Sequence, residues 1–131
     1  DGFSDIAYHY INASAHNVVA VVLGQSGAFP ALTSLSSLVT SGQALTITDN
    51  AHPYSSFYAS GFGSVMANAG DFNGDGINDL AIANPVIGSV YLVFGSSSLA
   101  TSFDVSSLTG SNGFTFISPA NDIITAMNFV G

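Results

Sequence analysis

The sequence predicts an all-β protein built as two cycles of one unit, with four strands in each cycle. The chain repeats against itself, and its apolar residues fall in short runs of strand length separated by turn formers. A third observation is negative. Glu, Lys and Arg are absent from the 131 residues, and no long stretch carries a 3.6-residue apolar period, so no helix is expected.

The repeat is read directly from spacing. Asp1-Gly-Phe-Ser-Asp5-Ile6-Ala7 aligns with Asp75-Gly-Ile-Asn-Asp79-Leu80-Ala81 at an offset of 74, and the stretch from Val19 to Gly24 aligns with that from Val90 to Gly95 at 71. Ser36-Ser37-Leu38 then matches Ser106-Ser107-Leu108 at 70, Gly42 matches Gly113 at 71, and the stretch from Met66 to Gly70 matches that from Met127 to Gly131 at 61. The units are therefore 1–70 and 71–131 within one repeat region, 1–131. Changes in offset place extra first-cycle residues within 8–17 and 49–62, as insertions in connections. In chain order the strands are expected at 6–10, 18–23, 44–48, 64–69, 80–83, 90–94, 114–117 and 125–129, each rich in β-branched, aromatic or small apolar residues.

Charge narrows the partners. All eight acids are Asp, there is no Lys or Arg, and the formal net charge is −8 with three neutral histidines. Binding to a phosphate backbone or an anionic membrane surface relies on cationic side chains that this chain lacks, so no nucleic acid is expected as a partner. Direct membrane insertion is not expected either, because the longest apolar run, from Val18 to Leu23, is far short of the ~20 residues a spanning helix needs. With no cysteine there is no disulfide framework and no thiolate chemistry.

One loop carries chemistry. Asp71, Asn73, Asp75 and Asp79 stand at positions 1, 3, 5 and 9 of a tight loop, with Gly76 at position 6 to allow the reversal. Those side chains, with the backbone carbonyl of Ile77, provide the hard oxygen donors that calcium takes in sets of 6–8; magnesium demands stricter geometry and keeps more water. An EF-hand shares this opening, but its bidentate Glu at position 12 is replaced here by Ile82, and the flanks read as strands. A metal-free, Asx-rich hairpin is the alternative.

These residues resemble the FG-GAP repeat of integrin α-subunit β-propellers and related bacterial surface-protein repeats. Phe62-Gly63-Ser64 resembles the FG element, and Gly70-Asp71-Phe-Asn-Gly-Asp-Gly-Ile-Asn-Asp79-Leu80 the calcium loop. Ala83-Asn84-Pro85 resembles the GAP element, with Asn84 in place of Ala. The likeness continues through Gly88-Ser-Val-Tyr-Leu-Val-Phe-Gly95 and the segment from Phe103 to Leu108 with Gly113-Phe114. The resemblance implies β-propeller blades, about two four-stranded antiparallel units, with calcium on the face away from the ligand face. Asp1, Phe3 and Asp5 match positions 5, 7 and 9 of an earlier, partial calcium loop. Propellers close with about 4–8 blades, so two cycles imply an open arc, either part of a larger propeller or a subunit that joins copies of itself.

The function implied is a non-enzymatic, calcium-binding, extracellular or cell-surface adhesion or recognition module. Two alternatives stand beside it: a structural subunit of an extracellular filament or coat that assembles through open blade edges, and the non-catalytic propeller part of a larger surface enzyme. All three histidines fall in the two insertions. His9, Tyr10, His16, His52, Tyr54, Phe57 and Tyr58 are therefore ligand-face candidates for a protein or glycan, unless these loops pack on a neighbouring blade. Asn12-Ala13-Ser14 is a glycosylation sequon in the same region. Catalysis has no motif: Gly24-Gln-Ser-Gly-Ala28 breaks the nucleophile elbow, and Asp49, Asp104 and Asp122 lie in separate connections.

Overall fold

The computed structural model describes residues 2–31, 33–53, 61–98, 100–119 and 124–128. Two four-stranded sheets pack face to face. The first has the order β1 (Ile6–Ile11), β2 (Asn17–Val22), β3 (Ala44–Thr48), β7 (Ser102–Asp104). The second has the order β4 (Val65–Gly70), β5 (Asp79–Asn84), β6 (Ser89–Val93), β8 (Gly113–Ile117) and is an antiparallel meander throughout. The expected all-β class and two four-stranded sheets are borne out, and the sheets do not close on each other.

The internal repeat is visible in the hydrogen bonds. Asp5 accepts the backbone N–H of Gly24 at 2.8 Å, and its counterpart Asp79 accepts that of Gly95, counterpart of Gly24, at 2.8 Å. A Cβ at Gly24 would strike the carbonyl oxygen of Ser4, and one at Gly95 that of Asn78, so both cycles need glycine at the same close approach. The sequence repeat is thus a repeat of one strand-end clasp.

Three elements differ from expectation. First, the fourth strand of the first sheet is β7, three residues from the connection between β6 and β8, which pairs parallel with β3 from Thr46↔Ser102 to Thr48↔Asp104. Asp104 fastens it, accepting from Thr48 Oγ1 and Asn50 N at 3.0 Å each and from Ser106 N at 2.9 Å. Burial alone would raise the Asp104 carboxyl, but the hydrogen bonds from Ser106, Asn50 and Thr48 more than offset this and hold it below its ordinary value.

Second, a short helix is present, α1 (Leu35–Thr40). Ser34 caps it by accepting from Ser37 N at 3.2 Å, and Leu38 is buried, so a Ser-rich segment is held helical by a cap and one apolar plug. Its counterpart in the second cycle is the 3₁₀ turn Val105–Ser107, capped by Asp104, in keeping with the match of Ser36-Ser37-Leu38 to Ser106-Ser107-Leu108. Third, residues 125–128 of the expected strand 125–129 are not in a strand; residue 129 lies outside the described residues.

The core lies between the sheets. Val19, Leu45 and Ile47 of the first sheet meet Ile82, Tyr91 and Val93 of the second, with Phe62 fully buried between them and edge-on to Tyr91 at 5.7 Å. Gly63 follows Phe62 with φ +84°, and a Cβ there would lie 2.5 Å from Val19 Cγ2. The Phe-Gly pair is thus one large plug followed by a turn that admits no side chain.

Candidate metal centre

The Asp-rich loop joins β4 to β5. β4 ends in a register shift between Asn68 and Gly70, where Asn68 Oδ1 accepts Gly70 N at 2.8 Å and Gly70 turns to φ +64°. From there the loop winds on its own side chains. Asp71 accepts from Asp75 N and Gly76 N at 2.8 Å each, Asn73 from Asp75 N at 2.9 Å, and Asp75 from Ile77 N at 2.8 Å. Gly74 and Gly76 take φ of +80° and +87°, the left-handed turns that let the loop fold back on its own side chains.

Asp79 is placed differently. It is buried, and its two oxygens accept from Phe72 N at 2.9 Å and Gly95 N at 2.8 Å, tying the loop's start to the end of β6. Phe72 and Ile77 extend this anchorage: Phe72 lies 5.8 Å from the Phe114 ring, and Ile77 covers Gly95. In the first cycle Phe3 lies against Gly24 in the same way, and Asp5 keeps its bond to Gly24. Asp1, the remaining member of the partial loop, lies outside the described residues.

The donor set fits a hard cation. Three carboxylates and the Asn73 amide lie within nine residues, an ionised carboxylate offers about four lone-pair sites, and the hydrogen bonds above leave part of that capacity free. Among the described residues no three Asp or His side chains stand gathered as a ready metal cage, because the loop oxygens are turned to the loop's own N–H groups. No Lys or Arg exists to neutralise them.

The opposite strand end, one strand length (~20 Å) away, carries the histidines. His9 Nε2 and Asn17 Oδ1 are 2.8 Å apart, and Asn17 lines, with His52, Phe62 and Asn84, a cavity of about 40 Å³. Asn12 Oδ1 accepts from Ser14 N and His16 N at 3.0 Å each, so the sequon asparagine shapes the β1–β2 turn and holds His16 there. Tyr10 is half-buried beside Tyr8 at 5.9 Å, and burial followed by the Tyr8 charge pushes its phenol up. Tyr54, Phe57 and Tyr58 lie outside the described residues.

Sequence reasoning missed the group that ties this end together. Asp49, which follows β3, is buried and accepts from Tyr91 OH at 2.9 Å, Asn84 Nδ2 at 3.1 Å and His52 N at 3.2 Å, with His52 Nδ1 3.0 Å away. One first-sheet carboxylate thus holds two side chains of the second sheet. The available signal was Asn84, which stands where the GAP element has Ala and uses the added amide to reach Asp49. Burial first, then the hydrogen bond and charge of Asp49, hold the Tyr91 phenol well above its ordinary value. A raised phenol pKa in the folded state stabilises fully below pH ~10 and is lost as pH climbs past it. Melting temperature is therefore expected to fall above pH 10, and less steeply in Tyr91→Phe than in the wild type; equal slopes in pH-scanned melts would remove Tyr91 as the cause.

A four-stranded meander whose first two strands enclose an Asp-rich loop defines a blade of the β-propeller type. Residues 62–93 match the family model of the FG-GAP repeat. No curated protein and no solved structure matches the chain.

Proposed function

We propose that the chain is a calcium-stabilised, non-enzymatic module of extracellular adhesion or recognition, with its calcium site in the 71–79 loop. The observation that supports this most is that the side-chain oxygens of Asp71, Asn73 and Asp75 all serve one short loop, where they accept its backbone N–H groups, in a chain without Lys or Arg. Asp71, Asn73, Asp75, Asp79 and the carbonyl of Ile77 would hold the ion. Calcium, when bound, supplies the positive charge that three neighbouring carboxylates require.

The repeat type supports an extracellular placement, as does the millimolar calcium outside cells, which suits loops of the 10⁻⁴–10⁻³ M class. Among the described residues no helix is long and apolar enough to cross a membrane. Recognition of a protein or glycan is assigned to the strand end opposite the loop, where His9, Tyr10, His16 and His52 lie and where Asn12 offers a glycosylation acceptor.

Calcium at about ten times its dissociation constant stabilises by about 1.4 kcal/mol, which raises the melting temperature by roughly 3–6 °C. The wild type is expected to show that rise between chelator and millimolar calcium in calorimetry, and Asp75→Ala to show none. Equal melting of the wild type in both buffers would end the structural role for calcium.

A further inference from the structure

Two asparagines in the chain are followed by glycine, Asn73-Gly74 and Asn112-Gly113. In such a pair the glycine nitrogen, with no Cβ beside it, is free to approach the amide carbon of the preceding side chain. The fold treats the two pairs in opposite ways.

Asn112 turns back along the chain. Its Oδ1 accepts from Thr109 N at 2.9 Å and Thr109 Oγ1 at 3.2 Å, and its Nδ2 donates to the Ser107 carbonyl at 3.2 Å. Gly113 is buried and paired with Val93 at the start of β8, at φ +137°. That amide is held away from the nitrogen that follows it.

Asn73 turns forward. Its Oδ1 accepts from Asp75 N at 2.9 Å, and its Nδ2 donates to Asp75 Oδ2 at 2.9 Å. A side chain that reaches the N–H two residues on arches over the peptide between, which brings Asn73 Cγ beside Gly74 N. Asn73 and Gly74 are exposed, and among the described residues no atom would lie within 4 Å of a Gly74 Cβ. Asn12 and Asn68 fold forward in the same way, onto Ser14 N and Gly70 N, but each is followed by alanine, whose Cβ crowds the attacking nitrogen. Among the described asparagines, Asn73 alone combines the forward fold with a following glycine.

We infer that Asn73 is a site of spontaneous deamidation. Gly74 N gives its proton to hydroxide and attacks Asn73 Cγ, closing a five-membered ring as the carbonyl electron pair moves onto Oδ1. The Asp75 N–H already directed at that oxygen stabilises the charge it gains. The pair then returns, the Cγ–Nδ2 bond breaks, and the nitrogen leaves as ammonia with a proton from water. Water opens the resulting succinimide: addition at Cγ yields aspartate, and addition at the main-chain carbon yields isoaspartate. The sum is amide plus water to carboxylate plus ammonia, and no oxidant, reductant or cofactor takes part. The product adds a negative charge to a loop that already holds three carboxylates, in a chain of net charge −8. Isoaspartate also routes the backbone through the former side chain and lengthens the loop by one carbon.

The test follows both asparagines in the wild-type chain, in warm neutral buffer with chelator and in denaturant. Cleavage after aromatic residues suits a chain without Lys or Arg, and mass spectrometry of the peptides reads conversion of amide to carboxylate at each site. Enzymatic methylation of isoaspartate reads the second product. In the folded protein Asn73 is expected to convert at least about tenfold faster than Asn112, whereas in denaturant the two rates should agree within about threefold, because folding alone sets the difference in approach. Gly74→Ala is expected to suppress conversion at Asn73 in both conditions. Equal rates in the folded protein, a faster Asn112, aspartate without isoaspartate, or an undiminished rate in Gly74→Ala would each overturn the inference. The comparison lies within one wild-type chain, so it does not depend on a variant folding. With chelator present throughout, its outcome is separate from that of the calcium site.

Discussion

Phe62→Ala is expected to destabilise the fold by about 3–5 kcal/mol, the cost of emptying a fully buried aromatic site. Phe62 sits where the two sheets meet, edge-on to Tyr91 and packed with Val19 and Ile82, so its removal leaves a void lined from both sides. Domains of this size hold only about 5–15 kcal/mol in total, so the variant should melt roughly 10–20 °C lower, or fail to accumulate. Phe62→Leu retains most of the volume and should recover more than half of the loss. Thermal melts of the two variants check the ordering, and an alanine variant that melts with the wild type would mean that the sheets separate without consequence.

Asp49→Ala should cost about 3 kcal/mol through a different term. It leaves the Tyr91 hydroxyl and the Asn84 amide buried without their acceptor, and each stranded donor carries a desolvation cost of about 1–3 kcal/mol. Because that cost belongs to the partners, adding Tyr91→Phe to Asp49→Ala should cost less than the sum of the two single changes. Denaturant unfolding of the four proteins in the cycle provides the measurement, and strict additivity would show that Asp49 does not act through Tyr91.

The strands were legible where β-branched runs are bounded by Gly, Asn or Asp, as in Val18–Val19–Ala20–Val21 of β2, because a strand of that length needs little beyond its own side chains. α1 was not, because Leu35–Thr40 has one buried residue and a run of Ser; its helicity rests on the Ser34 cap and on Leu38 meeting the rest of the fold. β7 was hidden because three residues carry no period, and its partner strand lies more than fifty residues earlier. The 71–79 loop could be read almost entirely, since the side chains at 71, 73 and 75 bond to backbone two to five residues away. Asp49 could not, because a single acid between β3 and a connection looks the same whether it meets water or a second sheet. Residues 125–128 match the sequence of β4 but have no strand beside them among the described residues; a strand is made by its neighbour as much as by its own composition.

The placement of β7 has a consequence for how the chain is made and how it comes apart. The first sheet closes its outer edge with residues 102–104, so during synthesis β1, β2 and β3 must wait, with one flank open, until three strands of the second sheet have emerged. The same loan forbids the halves from melting separately, since opening the second sheet between β6 and β8 withdraws a strand from the first. Heat or denaturant should meet a molecule that yields in a single step, and a pull on its ends should strain both sheets before either is free.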